Sequence, residues 1–103
     1  MYIVHIWSNQ EPFQSLEYQI LSKNLAQLLV NFSHHQYTLI SEVSWVDYEL
    51  ITDLDTLLDE FHYFHQQNTN FSDEILSIIK LIQKAKNNNH HILFDPFENT
   101  PYK

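Results

Sequence analysis

The sequence predicts an α/β domain: a small three-stranded, mostly parallel sheet with three helices, in the order β-α-β-α-α-β. Three observations lead there. Short β-branched apolar runs alternate with stretches whose apolar residues recur every three or four positions. Strands separated by helices favour parallel pairing through right-handed crossovers. A hydrophobic fraction of 44%, with 15% aromatics in 103 residues, is enough for one core. Residues 1–103 therefore read as a single acidic globular domain, with 97–103 as a loose tail.

Each element has its own signal. Tyr2 to Trp7 carries Ile3, Val4 and Ile6 and is apolar on both faces, as a buried strand is. Ser8 to Pro12 is a turn. From about Gln14 to Phe32, Leu16, Ile20, Leu21, Leu25, Leu28, Leu29 and Phe32 make one helical stripe, which Ser33 to Gln36 ends. Tyr37 to Ile40 is the second strand, with Val43, Trp45 and Tyr48 extending it or turning away. Thr52 caps a helix to about Gln66, with Asp55 three residues on as in a capping box. Leu54, Leu57, Leu58, Phe61 and Phe64 are its inward stripe.

Asn68 to Asn70 break the chain, and Ser72 caps the last helix, which carries Ile75, Ile78, Ile79 and Ile82. Acids Asp73 and Glu74 open it, and Lys80, Lys84 and Lys86 lie towards its end, both signs that suit the helix dipole. Asparagine tolerates left-handed backbone, so Asn87 to Asn89 supply the helix stop. Ile92-Leu93-Phe94 is the third strand, closed by Asp95-Pro96.

Composition excludes several functions. There are 13 acids against five basic residues, a net charge of −8, and no arginine. Direct nucleic-acid binding, which needs Lys and Arg against phosphate, is not expected. With no glycine there is no P-loop, dinucleotide fingerprint or nucleophile elbow. With no cysteine there are no disulfides or thiolate metal sites, and a reducing, cytoplasmic setting fits. The N-terminus lacks the basic and apolar regions of a secretory signal, and no apolar run would span a bilayer.

The charge is local. Asn24 to Ile79 contains no Lys or Arg but nine acids, seven of them between Glu42 and Glu60. Trp45 and Tyr48 are interleaved with them. Amphipathic aromatics in a field of one sign are the anchors of a docking surface for a basic protein. The bland alternatives are a solvated acidic face and core aromatics. On the helix, Asp55, Asp59 and His62 share one stripe, outward if the leucines face inward. The expected contact set is Glu42, Trp45, Asp47, Tyr48, Glu49, Asp55, Asp59, Glu60 and His62.

The run Asp53-Leu54-Asp55-Thr56-Leu57-Leu58-Asp59 resembles the inhibitory helix of the barstar-like ribonuclease inhibitors. Glu74 to Phe94 is similar to that family's last helix and strand. The resemblance covers about a third of the chain and implies that Asp55 and Asp59 meet basic residues in a ribonuclease active site. It departs at His65 to Asn70, too short and polar for the strand that the family places there. In type, the chain also resembles the small acidic immunity proteins of bacterial toxin systems, contact-dependent inhibition among them.

Chemistry is thinly represented. Asp59-x-x-His62-x-x-His65 has imidazole and carboxylate near zinc spacing, but the two histidines diverge on the helix and a third ligand is missing. His34-His35 and His90-His91 are read as solvent-facing. Glu42 and Asp95, with Glu11, are the acids that the expected topology could bring to one sheet edge for a metal-dependent site. The expectation is a non-enzymatic immunity or antitoxin protein, without cofactor, that occludes the active site of a basic toxin domain, most simply a nuclease. Imitation of DNA against a nucleic-acid-binding protein is the second reading, and a small metal-binding enzyme the third.

Overall fold

The computed structural model describes residues 2–33 and 36–97. The elements are β1 (Tyr2–Trp7), β2 (Ser15–Leu21), α1 (Lys23–Val30), α2 (Thr38–Ser41), β3 (Glu49–Ile51), α3 (Leu54–Gln67), a 3-10 turn (Thr69–Phe71), α4 (Ser72–Asn87) and β4 (His91–Asp95). The strands form one four-stranded sheet in the order β2-β1-β4-β3. Every neighbouring pair is antiparallel. The fold is α/β, but the expected three-stranded, mostly parallel sheet with three helices is overturned: the sheet has four antiparallel strands, and there are four α-helices among the described residues. The expected loose tail lies outside the described residues except for Phe97.

Two local features account for the difference. The expected first helix is divided, because Ser15–Leu21 is a strand that hairpins back on β1. Ser22 then starts α1, its hydroxyl accepting from the Leu25 amide. In addition, β3 and β4 are joined by two packed helices. One helix carries a chain back to the start of the previous strand. A helical pair leaves it at the end it departed from, so β4 descends antiparallel to β3.

The second expected strand, Tyr37–Ile40, is largely the four-residue helix α2. The cap of α3 is Asp53, one residue later than expected: its carboxylate accepts from the Thr56 amide and hydroxyl at 3.2 and 2.7 Å. Ser72 is the first residue of α4 rather than its cap, and its hydroxyl meets His65 Nε2 at 2.8 Å. The asparagine stop holds: Asn89 has φ 58°, left-handed backbone without glycine.

The core lies on one face of the sheet. Tyr2, Val4 and Ile6 of β1, Ile92 and Phe94 of β4, and Ile51 of β3 join the buried residues of α1, α3 and α4 in one cluster. Phe61 stacks parallel to Phe94 with centroids 6.1 Å apart. Leu21 of β2 joins this core, but the strand's other apolar residues do not follow the rule that apolar means inward. Leu16, Tyr18 and Ile20 are about half exposed. Glu17 instead pairs with Lys84 of α4 at 2.6 Å.

Candidate functional site

The segment 42–50 leads from α2 into the edge strand β3 and is held from inside. Val43 is buried, and the Tyr2 hydroxyl donates to the Ser44 carbonyl at 2.7 Å. Burial is the main reason the Tyr2 phenol is raised far above its ordinary value; the Ser44 bond lowers it, and Asp95 and Glu49 raise it further. The Ser44 hydroxyl accepts from the Val46 and Asp47 amides at 3.3 and 3.1 Å, folding the loop tip onto itself.

That tethering turns the tip outward. Trp45 leans edge-on against Tyr2, centroids 5.6 Å apart, and keeps 44% of its surface exposed. Val46 is 71% exposed. Tyr48 packs edge-on against Phe97 at 4.9 Å and is 46% exposed. Both aromatics are thus part of the surface and not of the core. Beside them stand Glu42, Asp47 and Glu49. The Glu49 carboxyl is raised above its ordinary value by partial burial first, then by Glu42 and by Asp47. Those two like-signed neighbours bring three carboxylates of the expected set into one electrostatic group.

The other expected residues go elsewhere. Asp55, Asp59 and His62 are all exposed on one flank of α3, as the helix pattern implied. Asp55, however, is met by Lys86 of α4 at 2.5 Å, so a lysine offsets the aspartate pair. Such an exposed pair is worth little in stability but halves the local charge. Glu60 is buried, 2% exposed. Its carboxylate accepts from the Leu39 and Ile40 amides at 3.2 and 2.9 Å and so caps α2 from α3. Glu60 is part of the scaffold beneath the loop.

Sequence reasoning missed a second constellation. His5 Nδ1 meets Ser15 Oγ at 2.8 Å, and His5 Nε2 meets Asp95 Oδ2 at 2.9 Å. A bulge between Ile6 and Trp7 shifts the register so that Ser15 lies opposite Trp7, on the His5 side of the sheet. The Asp95 carboxylate accepts from Nε2–H, which leaves Nδ1 to accept the Ser15 proton; this assignment follows from the network. The order of groups is that of a nucleophile, a base and an orienting acid. Yet His5 and Asp95 are 0% and 1% exposed, and the linkage ties β2, β1 and β4 together as a satisfied polar bridge. No spacing signal exists for residues 10 and 90 positions apart.

His90 and His91, expected to face solvent, are half-buried and line a cleft with Asp53, Asp55 and Lys86; His34 and His35 lie outside the described residues. Among the described residues, no group of three or more histidines and acids is placed to hold a metal ion. Asp95 is engaged by His5 rather than joined with Glu42 and Glu11. No helix of the described residues is long and apolar enough to cross a membrane.

Fold and site together define a two-layer α/β domain with an acidic, aromatic loop at one sheet edge. No family model, curated protein or solved structure matches the chain.

The raised Glu49 carboxyl has a pH consequence. A group raised in the folded state adds stability that is full below the ordinary glutamate range and is lost as pH rises through the folded value. Relative to Glu49→Gln, the wild-type chain is therefore expected to be most stable in acid and to lose that margin towards neutrality. Urea melts of both proteins across this window check it; a difference independent of pH refutes it.

Proposed function

We propose that this chain is a cytoplasmic binding protein of the immunity or antitoxin type. It docks the 42–49 loop into the active site of a basic toxin domain, most simply a nuclease. The observation that carries this reading is the grouping of Glu42, Asp47 and Glu49 beside outward Trp45 and Tyr48. A field of one sign steers a cationic partner and raises its association rate. The half-exposed rings gain full burial on contact and anchor the complex. Asp59 and His62 on the flank of α3 add a rim, with Asp55 weakened by Lys86.

Inhibition by this route is occlusion. Carboxylates occupy the cationic groups that would hold substrate phosphates, and no bond is made or broken. The lack of arginine fits a protein that imitates phosphate rather than one that holds it.

The direct test pairs the purified chain with the product of the adjoining reading frame and measures nuclease turnover at increasing chain concentration. Stoichiometric inhibition is the expected result. A nuclease that is bound yet fully active rules out occlusion. Within such a complex, Tyr48→Ala is expected to weaken binding by about 2 kcal/mol, roughly 30-fold. Tyr48 packs against Phe97 at the rim, so its thermal midpoint should stay near wild type. Calorimetric titration measures the first quantity, and a change below about threefold would remove Tyr48 from the anchor set.

A further inference from the structure

The strand order leaves β3 at one edge of the sheet: among the described residues it pairs with β4 alone. Alternate residues of an edge strand turn their N–H and C=O groups outward, where a further strand can take them. The open edge runs for about 10 Å and starts where the acidic loop ends, at Glu49. Its two sides differ. Ile51 enters the core, whereas Leu50 stands on the opposite face of the sheet and is 47% exposed. Glu49 shares the Ile51 side and is crowded by Glu42 and Asp47.

We propose that an extended segment of the basic partner adds a strand to the β3 edge, with cationic side chains beside Glu49 and an apolar one beside Leu50. This rests on the reading of the 42–49 loop as the contact with a basic protein, and it names the backbone geometry of that contact. Charge selects the occupant. The sequence from Asn24 to Ile79 has no Lys or Arg, so neither β3 nor the loop before it supplies a cation to the three carboxylates. Lys84 and Lys86 of α4 engage Glu17 and Asp55 instead. A second copy is selected against. Antiparallel pairing of two β3 strands about Leu50 sets Asp47 opposite Asp53, and parallel pairing in register sets Glu49 beside Glu49. Like charges at such positions are unfavourable, and an acidic strand from any other protein meets the same repulsion.

In strand addition, main-chain bonds supply affinity and alternate side chains supply specificity. Three residues offer few main-chain bonds, so the edge sets orientation and register while the charges and rings strengthen the contact. Trp45 and Tyr48 lie just before the strand and come under the same partner segment. Alternation follows from the pleat. A partner residue opposite Glu49 lies on the helix side, and one opposite Leu50 lies on the open side. The fitting sequence therefore alternates basic and apolar residues.

The probe is an end-blocked peptide, Lys-Val-Lys-Val-Lys-Val-Lys, titrated into the whole chain and followed on the backbone amides of residues 49–51. It is expected to bind at least tenfold more tightly than Lys-Lys-Val-Val-Val-Lys-Lys, which keeps the charge and loses the alternation. N-methylation of the lysines or of the valines, but not of both sets alike, should weaken it at least tenfold, because alternate amides face β3. Leu50→Lys puts a cation at an exposed position of the edge and should also weaken it at least tenfold. Equal binding of the two peptides, or indifference to N-methylation, means that charge alone holds them and overturns strand addition. So does absence of binding, or a chain found to pair with its own copy through this edge. Failure here is distinct from failure of the proposed function. A chain that inhibits the nuclease yet ignores alternation keeps occlusion and loses the added strand; one that takes the alternating peptide yet leaves the nuclease active keeps the edge and loses occlusion.

Discussion

Glu60→Ala is expected to lower stability by about 3 kcal/mol. The carboxylate is buried and accepts both the Leu39 and Ile40 amides. Its removal orphans two backbone donors, each costing roughly 1 to 3 kcal/mol when buried. The side chain of Tyr37, at the cap position of that helix, makes no cap bond of its own. For a domain of this size, the thermal midpoint should fall by roughly 12 to 24 °C. Glu60→Gln keeps one acceptor oxygen and should lose clearly less. Thermal denaturation of the three proteins decides the matter; a loss under about 1 kcal/mol for the alanine variant would mean that the cap does not hold α2. A second effect is expected on binding, since α2 leads directly into the acidic loop.

Neutralising the loop is the second large effect. Glu42→Gln/Asp47→Asn/Glu49→Gln is expected to cut affinity for a basic toxin domain by roughly 10²-fold or more, mainly in the association rate and with a shallower salt dependence. The folded state should lose nothing at neutral pH, because Glu49 sits among like charges. Asp55→Asn/Asp59→Asn should act more weakly, since Lys86 already engages Asp55. Stopped-flow association at two salt concentrations compares the two variants. If the helical pair costs more than the loop triple, the binding face lies on α3, as the likeness to ribonuclease inhibitors implies.

The acidic loop was legible because Glu42, Trp45, Asp47, Tyr48 and Glu49 are close in sequence, so local crowding survives folding. Glu60 carried a signal pointing the other way. It stands three residues after Leu57 and four before Phe64, on the inward stripe of its helix, and charge alone made it look like surface. The hairpin was hidden by ambiguity: Leu16 and Ile20 satisfy both a four-residue and a two-residue period. Tyr18 between them and the cap at Ser22 are the residues that separate strand from helix. Nothing local identifies α2, because a carboxylate 20 positions away supplies its cap. The His5–Asp95 pairing follows only from the topology.

The place of β4 in the sheet bears on how the chain folds. His91–Asp95 follows the other three described strands in the chain and yet lies between β1 and β3. Until it emerges, the β1–β2 hairpin and β3 have no shared edge, and the helices have only half a sheet to cover. Its pairing with β1 closes a loop of nearly the whole chain, which raises contact order and slows folding. The sheet thus waits on its keystone: a chain cut short of Ile92 keeps most of its apolar residues but has no sheet centre on which to assemble them.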